Sequence, residues 1–220
     1  TSQVSIGEFV EIFESNLKEY DELVVINLSS ELSGTYNAAM QAKDNIGSDH
    51  IHVIDSRLVS FAMGLVVVEV ARKIKVGQTL DEVIDYASNA YKNMENIFIF
   101  DTLEYLLKGG RLSKNEAFLG NLLNIKPILT ITDGFLKSKD KIRGRKKAVK
   151  YAIKKIKADY EERSFTKIAI FEGADSEMKS EIVRFVSEEL SGVEVLESKI
   201  GIVIGTHTGP GSVAITYIYE

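Results

Sequence analysis

Short apolar runs alternate with segments of helical periodicity, and this alternation constrains the fold more than any other feature of the sequence. The apolar runs have the length of buried strands and lie at 23–28, 51–54, 97–100, 127–131, 167–171, 193–197 and 212–219. Helical patterns separate them, at 36–43, 58–74, 79–93, 146–162 and 176–190. The helix at 58–74 is predicted to be almost fully buried. Strands that alternate with helices predict an α/β architecture with mainly parallel sheets.

Several helix starts can be placed from capping boxes, in which a Ser or Thr is followed three residues later by Glu. The pairs are Ser5 with Glu8, Thr79 with Glu82, and Ser113 with Glu116. After the first of them, Phe9 and Phe13 recur at helical spacing.

The second half of the chain carries a hairpin signal that the first half lacks. Asp133-Gly134 stands between two apolar runs, and this dipeptide favours a tight turn between antiparallel strands. The strand and helix pattern restarts near residue 94. We therefore expect two α/β domains, at 1–93 and 94–220, the first with a mainly parallel sheet and the second with a mixed sheet.

Composition excludes several kinds of chemistry. The 220 residues include no Cys and only 3 His, which rules out disulfides and thiolate sites and argues against a histidine-rich metal centre. The net charge is −5, yet the segment 137–163 has 12 Lys or Arg against 4 Asp or Glu, so it carries +8 and the rest −13. A basic patch on an acidic protein suits an anionic ligand or acidic partner and argues against a dedicated nucleic-acid binder.

The sequence shows no segment suited to crossing a membrane. Its longest unbroken apolar or glycine run, 61–68, is far shorter than the roughly 20 residues that a spanning helix needs. The first residues show neither a basic region nor an apolar stretch of the kind found in signal peptides. We expect a cytoplasmic location.

Two segments could bind an anion at the start of a helix. Ser33-Gly34-Thr35 follows a strand and opens a helix, where free backbone N–H groups and the helix dipole favour negative charge. Gly34 would let a ligand approach the backbone. Thr1-Ser2-Gln3 precedes the Ser5 cap and could act similarly. The alternatives are an ordinary Ser/Thr helix cap and a frayed terminus.

A third candidate is the segment 205–211, Gly-Thr-His-Thr-Gly-Pro-Gly, which predicts a tight turn around His207. The histidine could serve a ligand or could be a structural hydrogen-bonding group. Arg111, after two glycines, and Arg143 could hold a carboxylate or a phosphate bidentately. Most of the lysines near Arg143 are expected on a solvated helix face. No nucleotide-triphosphate loop and no Gly-x-Ser-x-Gly elbow is present.

Taken together, segments spread over essentially the whole chain resemble the DegV family of bacterial fatty-acid-binding proteins. They are Thr1-Ser2-Gln3, residues 28–36, Val53-Ile54-Asp55-Ser56, Met63-Gly64, residues 101–106, Lys108-Gly109-Gly110-Arg111, residues 123–129, residues 143–148 and residues 204–211. The chain departs from the family pattern at Val4, where the family has Pro. The family's initial strand and its Asp-Ser-Thr-like turn have no counterpart here, so we expect the first domain to be incomplete at its start.

The resemblance implies a two-domain α/β protein that holds one long-chain fatty acid between its domains, with no other cofactor and no metal. Some family members are the binding subunit of bacterial fatty acid kinase and present the carboxylate to a separate ATP-binding subunit. By this resemblance, the residues around the carboxylate are Thr1, Ser2, Ser33, Gly34, Thr35 and His207. Arg111 and Arg143 would contact the phosphoryl group or the kinase. Candidates for an acyl tunnel are Phe61, Ala62, Met63, Leu65 and Ile125.

Two other functions remain open at this stage. The chain could be a hydrolase or phosphotransferase that uses His207 with Ser33, although no third residue that would orient the histidine is evident. It could also be a regulatory module that binds an acidic partner through 137–163. We favour a non-catalytic lipid-binding protein.

Overall fold

Two sheets organise the computed structural model, which describes residues 1–113, 124–174 and 176–219. The chain divides into a first unit, Thr1–Lys92 with Asp133–Phe135, and a second unit, Asn93–Thr132 with Leu136–Glu220. The first contains a two-stranded parallel sheet and the second a six-stranded mixed sheet, which confirms the predicted fold class. The helix predicted after Ser113 falls largely on 114–123, outside the described residues.

The first unit is built on β1 (Leu23–Asn27) and β2 (Ile51–Asp55), which pair in parallel from Leu23 opposite Ile51 to Asn27 opposite Asp55. Its helices are α1 (Ile6–Asn16), α2 (Thr35–Ile46), α3 (Phe61–Lys75) and α4 (Leu80–Asn89), and a 3₁₀ turn follows over Ala90–Asn93. Parallel strands need a crossover, which α2 supplies between β1 and β2.

Capping boxes start α1 and α4, as predicted. At α1, the Ser5 hydroxyl oxygen accepts from the Glu8 N–H at 3.2 Å, and the Ser5 N–H donates to the Glu8 carboxylate at 2.8 Å. Thr79 and Glu82 make the same reciprocal pair at α4. Both pairs satisfy backbone N–H groups that a helix start leaves without an intrahelical acceptor.

The aromatic face of α1 packs against small residues on α2. Phe9 and Phe13 are buried, with ring centroids 5.4 Å apart, in a cluster with Ala38, Ala39 and Ala42. Methyl side chains leave room for the two rings, so this packing fixes α1 against the helix that opens at Thr35.

The prediction of an almost fully buried helix at 58–74 is wrong. The helix begins at Phe61, and Val67, Val68 and Ile74 are 40%, 47% and 53% exposed. Within its unit α3 packs against β1 and α4, so these elements cover only part of its circumference. A continuous apolar run does not by itself reveal that only one side of a helix is covered.

The second unit contains β3 (Met94–Ile99), β4 (Ile125–Thr132), β5 (Phe135–Arg143), β6 (Lys167–Glu172), β7 (Glu194–Lys199) and β8 (Val213–Ile218). Their order in the sheet is β5-β4-β3-β8-β6-β7, in which β8 runs antiparallel to both neighbours and β6 runs parallel to β7. The helices are α5 (Glu104–Lys108), α6 (Arg145–Glu162), α7 (Ser176–Glu189) and α8 (Ile202–Thr208).

One face of this sheet forms the core of the second unit with α6 and α7. The sheet contributes alternate buried residues such as Ile97, Ile168 and Ile215, while the helices contribute Ala152 and Ile182. The predicted hairpin is present: Asp133 and Gly134 join β4 to β5 with φ of 50° and 85°. Two successive positive φ values are what a two-residue hairpin turn requires.

Candidate functional site

The start of α2 follows the carboxyl end of β1 after the loop 28–34, and α/β proteins commonly bind ligands at this end of a strand. Gly34 is the N-cap, with φ −71° and ψ 2°, and it makes no side-chain cap hydrogen bond. The Ser33 hydroxyl accepts from the Thr35 N–H at 3.3 Å and lies 2.9 Å from the Thr35 hydroxyl. Two adjacent hydroxyls therefore stand at a helix N-terminus that has no ordinary side-chain cap.

Hydrogen bonds fix the loop that leads to this helix start. Ser29 is fully buried and its hydroxyl donates to the Gly134 carbonyl at 2.8 Å. The Asp55 carboxylate at the end of β2 accepts from the Ser30 hydroxyl at 2.6 Å and from the Arg57 N–H at 2.9 Å. Hydrogen bonds to Gly134 and to Asp55 therefore fix the loop that precedes the hydroxyls of Ser33 and Thr35.

The predicted residues Thr1 and Ser2 are exposed, and the coil that they begin reaches Gly34 through Gln3, which the resemblance does not place around the carboxylate. The Gln3 carboxamide lies against Gly34: a Cβ at position 34 would stand 1.9 Å from its Oε1 and 2.9 Å from its Cδ. The Gln3 side chain is therefore close to the start of α2. The shared family motif is the signal that could have included Gln3 among the site residues.

His207 lies in the second unit, in the last turn of α8, so the prediction of a tight glycine turn around it is wrong. Its ring packs against Gly109, where a Cβ would stand 2.3 Å from Nδ1. Burial, and then the positive charge of Arg111, hold the pKa of His207 below its ordinary value. The imidazole is accordingly neutral at pH 7 and can donate one N–H to a ligand.

Glycines after His207 permit other close approaches. A Cβ on Gly209, which has φ 70°, would stand 2.3 Å from the Tyr105 ring. A Cβ on Gly211 would meet the Asp101 carboxylate at 2.5 Å, and that carboxylate also pairs with Lys126. These glycines end α8 and let α5 and its preceding loop pack closely, rather than framing a turn around the histidine.

The two predicted arginines occupy different environments within the second unit. Arg111 is half-buried and its guanidinium donates to the Gly109 carbonyl at 2.5 Å, close to His207. Arg143 is the last residue of β5 and is exposed. In the basic segment, Lys139 pairs with Glu95 at 2.7 Å, so this lysine is engaged in the structure and not merely solvated.

The acyl-tunnel candidates belong to two elements. In the first turns of α3, Ala62 and Leu65 are buried while Phe61 and Met63 are half-buried. Ile125 opens β4 in the second unit and is half-buried. Their contact with an acyl chain remains a prediction.

Two features of residues 1–113, 124–174 and 176–219 bear on other classes of site. No group of three or more Asp, Glu or His side chains in these ranges could hold a metal ion. None of the helices described there is long and apolar enough to cross a membrane.

Comparisons with known proteins identify the family. A sequence profile described as "Uncharacterised protein, DegV family" matches residues 1–220, and this chain belongs to that family. A DegV domain-containing protein of Caldanaerobacter subterraneus is 37% identical over 220 residues, covering 99% of this chain and 78% of the relative.

Solved structures agree with this membership. A DegV family protein from Thermus thermophilus, described as binding fatty acid, has a TM-score of 0.91 and 30% identity, covering 100% of this chain and 78% of its own. DegV of Bacillus subtilis, described as a fatty acid binding protein, has a TM-score of 0.88 and 33% identity, again over 100% and 78%.

Proposed function

We propose that this protein binds a long-chain fatty acid and that the hydroxyls at the start of α2 receive its carboxylate. The observation that carries the proposal is the Ser33 and Thr35 pair, 2.9 Å apart, at a helix N-terminus without a side-chain cap. A carboxylate taken from water needs several donors, because a buried charge without partners is costly. The fatty-acid binding attributed to the Thermus thermophilus and Bacillus subtilis relatives supports the same ligand.

The remaining residues divide between head group and tail. Thr1, Ser2 and the backbone N–H groups near Gly34 add donors, and neutral His207 adds one N–H. Burial of an acyl chain contributes about 0.8 kcal/mol per CH₂, so the tail supplies most of the affinity and the head group fixes the orientation. We assign Phe61, Ala62, Met63, Leu65 and Ile125 to the tail.

Replacement of Ser33 by Ala tests the head-group assignment, and the chain offers a matched control. Ser48 accepts from the His50 N–H at 3.2 Å, two residues on, as Ser33 does from Thr35. Ser33→Ala should lower the affinity for oleate by about tenfold, the equivalent of one hydrogen bond to a charged group. Ser48→Ala should leave it unchanged.

Native mass spectrometry of the purified protein and calorimetric titration of delipidated protein with oleate provide the measurements. Melting temperatures of both variants should stay close to that of the wild type. Equal oleate affinity in Ser33→Ala and wild type would show that the Ser33 hydroxyl does not bind the carboxylate.

We further propose that the bound carboxylate is presented to a separate ATP-dependent kinase subunit, with Arg111 and Arg143 contacting the phosphoryl group or that subunit. Exposure of Arg143 at the end of β5 is consistent with a role outside the lipid site. Arg143→Glu should reduce acyl-phosphate formation by an added bacterial fatty acid kinase subunit. Lys150→Glu, a charge reversal at another exposed residue nearby on α6, should reduce it less.

The enzymatic alternative predicts a different result. If His207 activated Ser33 as a nucleophile, the protein purified without lipid would hydrolyse model esters and His207→Ala would abolish the activity. If the protein binds oleate and does not hydrolyse esters, the result supports the lipid-binding function over the enzymatic one.

A further inference from the structure

We infer that Gln3 positions the head-group site: its carboxamide rests on Gly34 and thereby holds Thr1 and Ser2 beside the start of α2. This inference deepens the proposed fatty-acid function and rests on it. The direct observation is the distance from a Cβ at position 34 to Gln3, 1.9 Å to Oε1, 2.9 Å to Cδ and 3.3 Å to Nε2. A Cβ at position 34 would overlap Oε1 and Cδ and would contact Nε2 tightly, so the carboxamide takes up space that another residue at position 34 would need.

The backbone does not explain a glycine at this position. Gly34 has φ −71° and ψ 2°, which L-residues adopt readily. Glycine at this position instead leaves room for the Gln3 side chain.

The segment that Gln3 belongs to is an exposed coil that leads into α1. Residues 1–4 are exposed and belong to no helix or strand, and α1 begins only at Ile6. From Ser5 onward the chain is anchored by the capping box of α1 and by the packing of Phe9 and Phe13 against α2. Contact of Gln3 with Gly34 extends this anchoring toward Thr1, so the hydroxyls of Thr1 and Ser2 spend less of their time away from the site.

A neutral amide suits this place better than its acidic counterpart. The carboxamide offers two N–H donors and an acceptor and brings no charge. A carboxylate of the same shape would be attracted to the positive N-terminus of α2 and would repel a fatty-acid carboxylate. Gln3→Glu is thus expected to leave the stability of the fold unchanged or increased while it weakens fatty-acid binding. If Gln3 had only a structural role, affinity would not fall while stability is kept.

The test is calorimetric titration of oleate into delipidated wild type, Gln3→Glu, Gln3→Ala, Gly34→Ala and the Gln3→Ala/Gly34→Ala double variant. Gly7→Ala is the control for glycine replacement, since a Cβ there meets nothing within 4 Å. We expect Gln3→Ala and Gly34→Ala each to lower affinity about tenfold through the same lost contact. The double variant should then bind no more weakly than either single one, because neighbours that share a contact are not additive.

Each outcome decides a distinct question. A wild-type protein that binds no oleate overturns the proposed function itself. If the wild type binds while Gln3→Ala and Gly34→Ala bind equally well, the positioning role of Gln3 is wrong and the fatty-acid function stands. Losses that multiply in the double variant also contradict the role, as does a Gln3→Glu protein that retains both full affinity and full stability. Circular dichroism confirms that each variant is folded.

Discussion

A buried polar network in the second unit yields a prediction of stability that can be worked from distances. Asp159 on α6 is 5% exposed, and its carboxylate accepts from the Tyr217 hydroxyl at 2.5 Å and from the Tyr219 hydroxyl at 2.9 Å. Lys155, one turn earlier, donates to both carboxylate oxygens at 2.5 and 2.6 Å. Burial alone would raise the pKa of Asp159, but these three donors outweigh it and the pKa is lowered.

The expected magnitudes follow from which groups each change leaves unpartnered. Tyr217→Phe removes one hydrogen bond to a carboxylate that keeps two other donors, so it should cost about 1.5–2 kcal/mol. Asp159→Ala leaves the hydroxyl of Tyr217, which is fully buried, without its acceptor, and it should cost about 3 kcal/mol. In the double variant no fully buried hydroxyl is left without an acceptor, because Tyr219, which also loses Asp159, is only half-buried. Its cost should therefore be about 3 kcal/mol and not the sum of about 5, which gives a coupling of about 2 kcal/mol.

Urea unfolding followed by far-ultraviolet circular dichroism provides the free energies, and hydrogen exchange of β8 amides localises the loss to the second unit. Tyr160→Phe is the matched control, because its hydroxyl donates to the Ser191 carbonyl at 2.8 Å in an exposed setting. That change should cost about 0.5 kcal/mol. If the costs of Asp159→Ala and Tyr217→Phe add within error, the network does not act as a unit and the reasoning fails.

Two further predictions concern the segment around His207. Burial and Arg111 lower the pKa of His207, and a bound carboxylate would raise it again, so oleate affinity should increase as the pH falls from 8 toward about 6. Titrations across this range should lose that part of the dependence in His207→Gln; an unchanged slope would remove the histidine from the site. Gly209→Ala should lower stability by about 2 kcal/mol or more, because φ is 70° and the new Cβ would collide with Tyr105. Thermal unfolding should show part of this loss recovered when Tyr105→Ala is added, and no recovery would contradict the steric explanation.

Local signals in the sequence were sufficient for much of the fold. The capping boxes at Ser5 and Thr79 and the Asp133-Gly134 hairpin turn are determined by residues within a few positions of one another, and the structure confirms these three. The alternation of strands and helices likewise gave the fold class, since periodicity records which face of each element is buried. The order of the strands in the second sheet was not predictable in this way, because β8 inserts between β3 and β6 from the far end of the chain.

Long-range contacts explain where the sequence interpretation failed. The glycine-rich segment 205–211 was predicted to be a turn, yet α8 continues to Thr208. Gly209 and Gly211 make room for Tyr105 and Asp101, which lie about a hundred positions earlier in the sequence. Nothing within a few residues of His207 distinguishes a glycine that forms a turn from one that admits a distant side chain.

The same distinction bears on the proposed head-group site. Gly34 in Ser33-Gly34-Thr35 first suggests that a ligand approaches the backbone there, but its negative φ removes the conformational reason for glycine and Gln3 occupies the adjacent space. Gly109 likewise gives up its side-chain space to the ring of His207. At both positions the glycine accommodates one of the protein's own polar side chains. If the proposed head-group site is correct, alanine at Gly34 or Gly109 should therefore weaken fatty-acid binding by displacing Gln3 or His207, and the contacts made by these two side chains are the ones to measure.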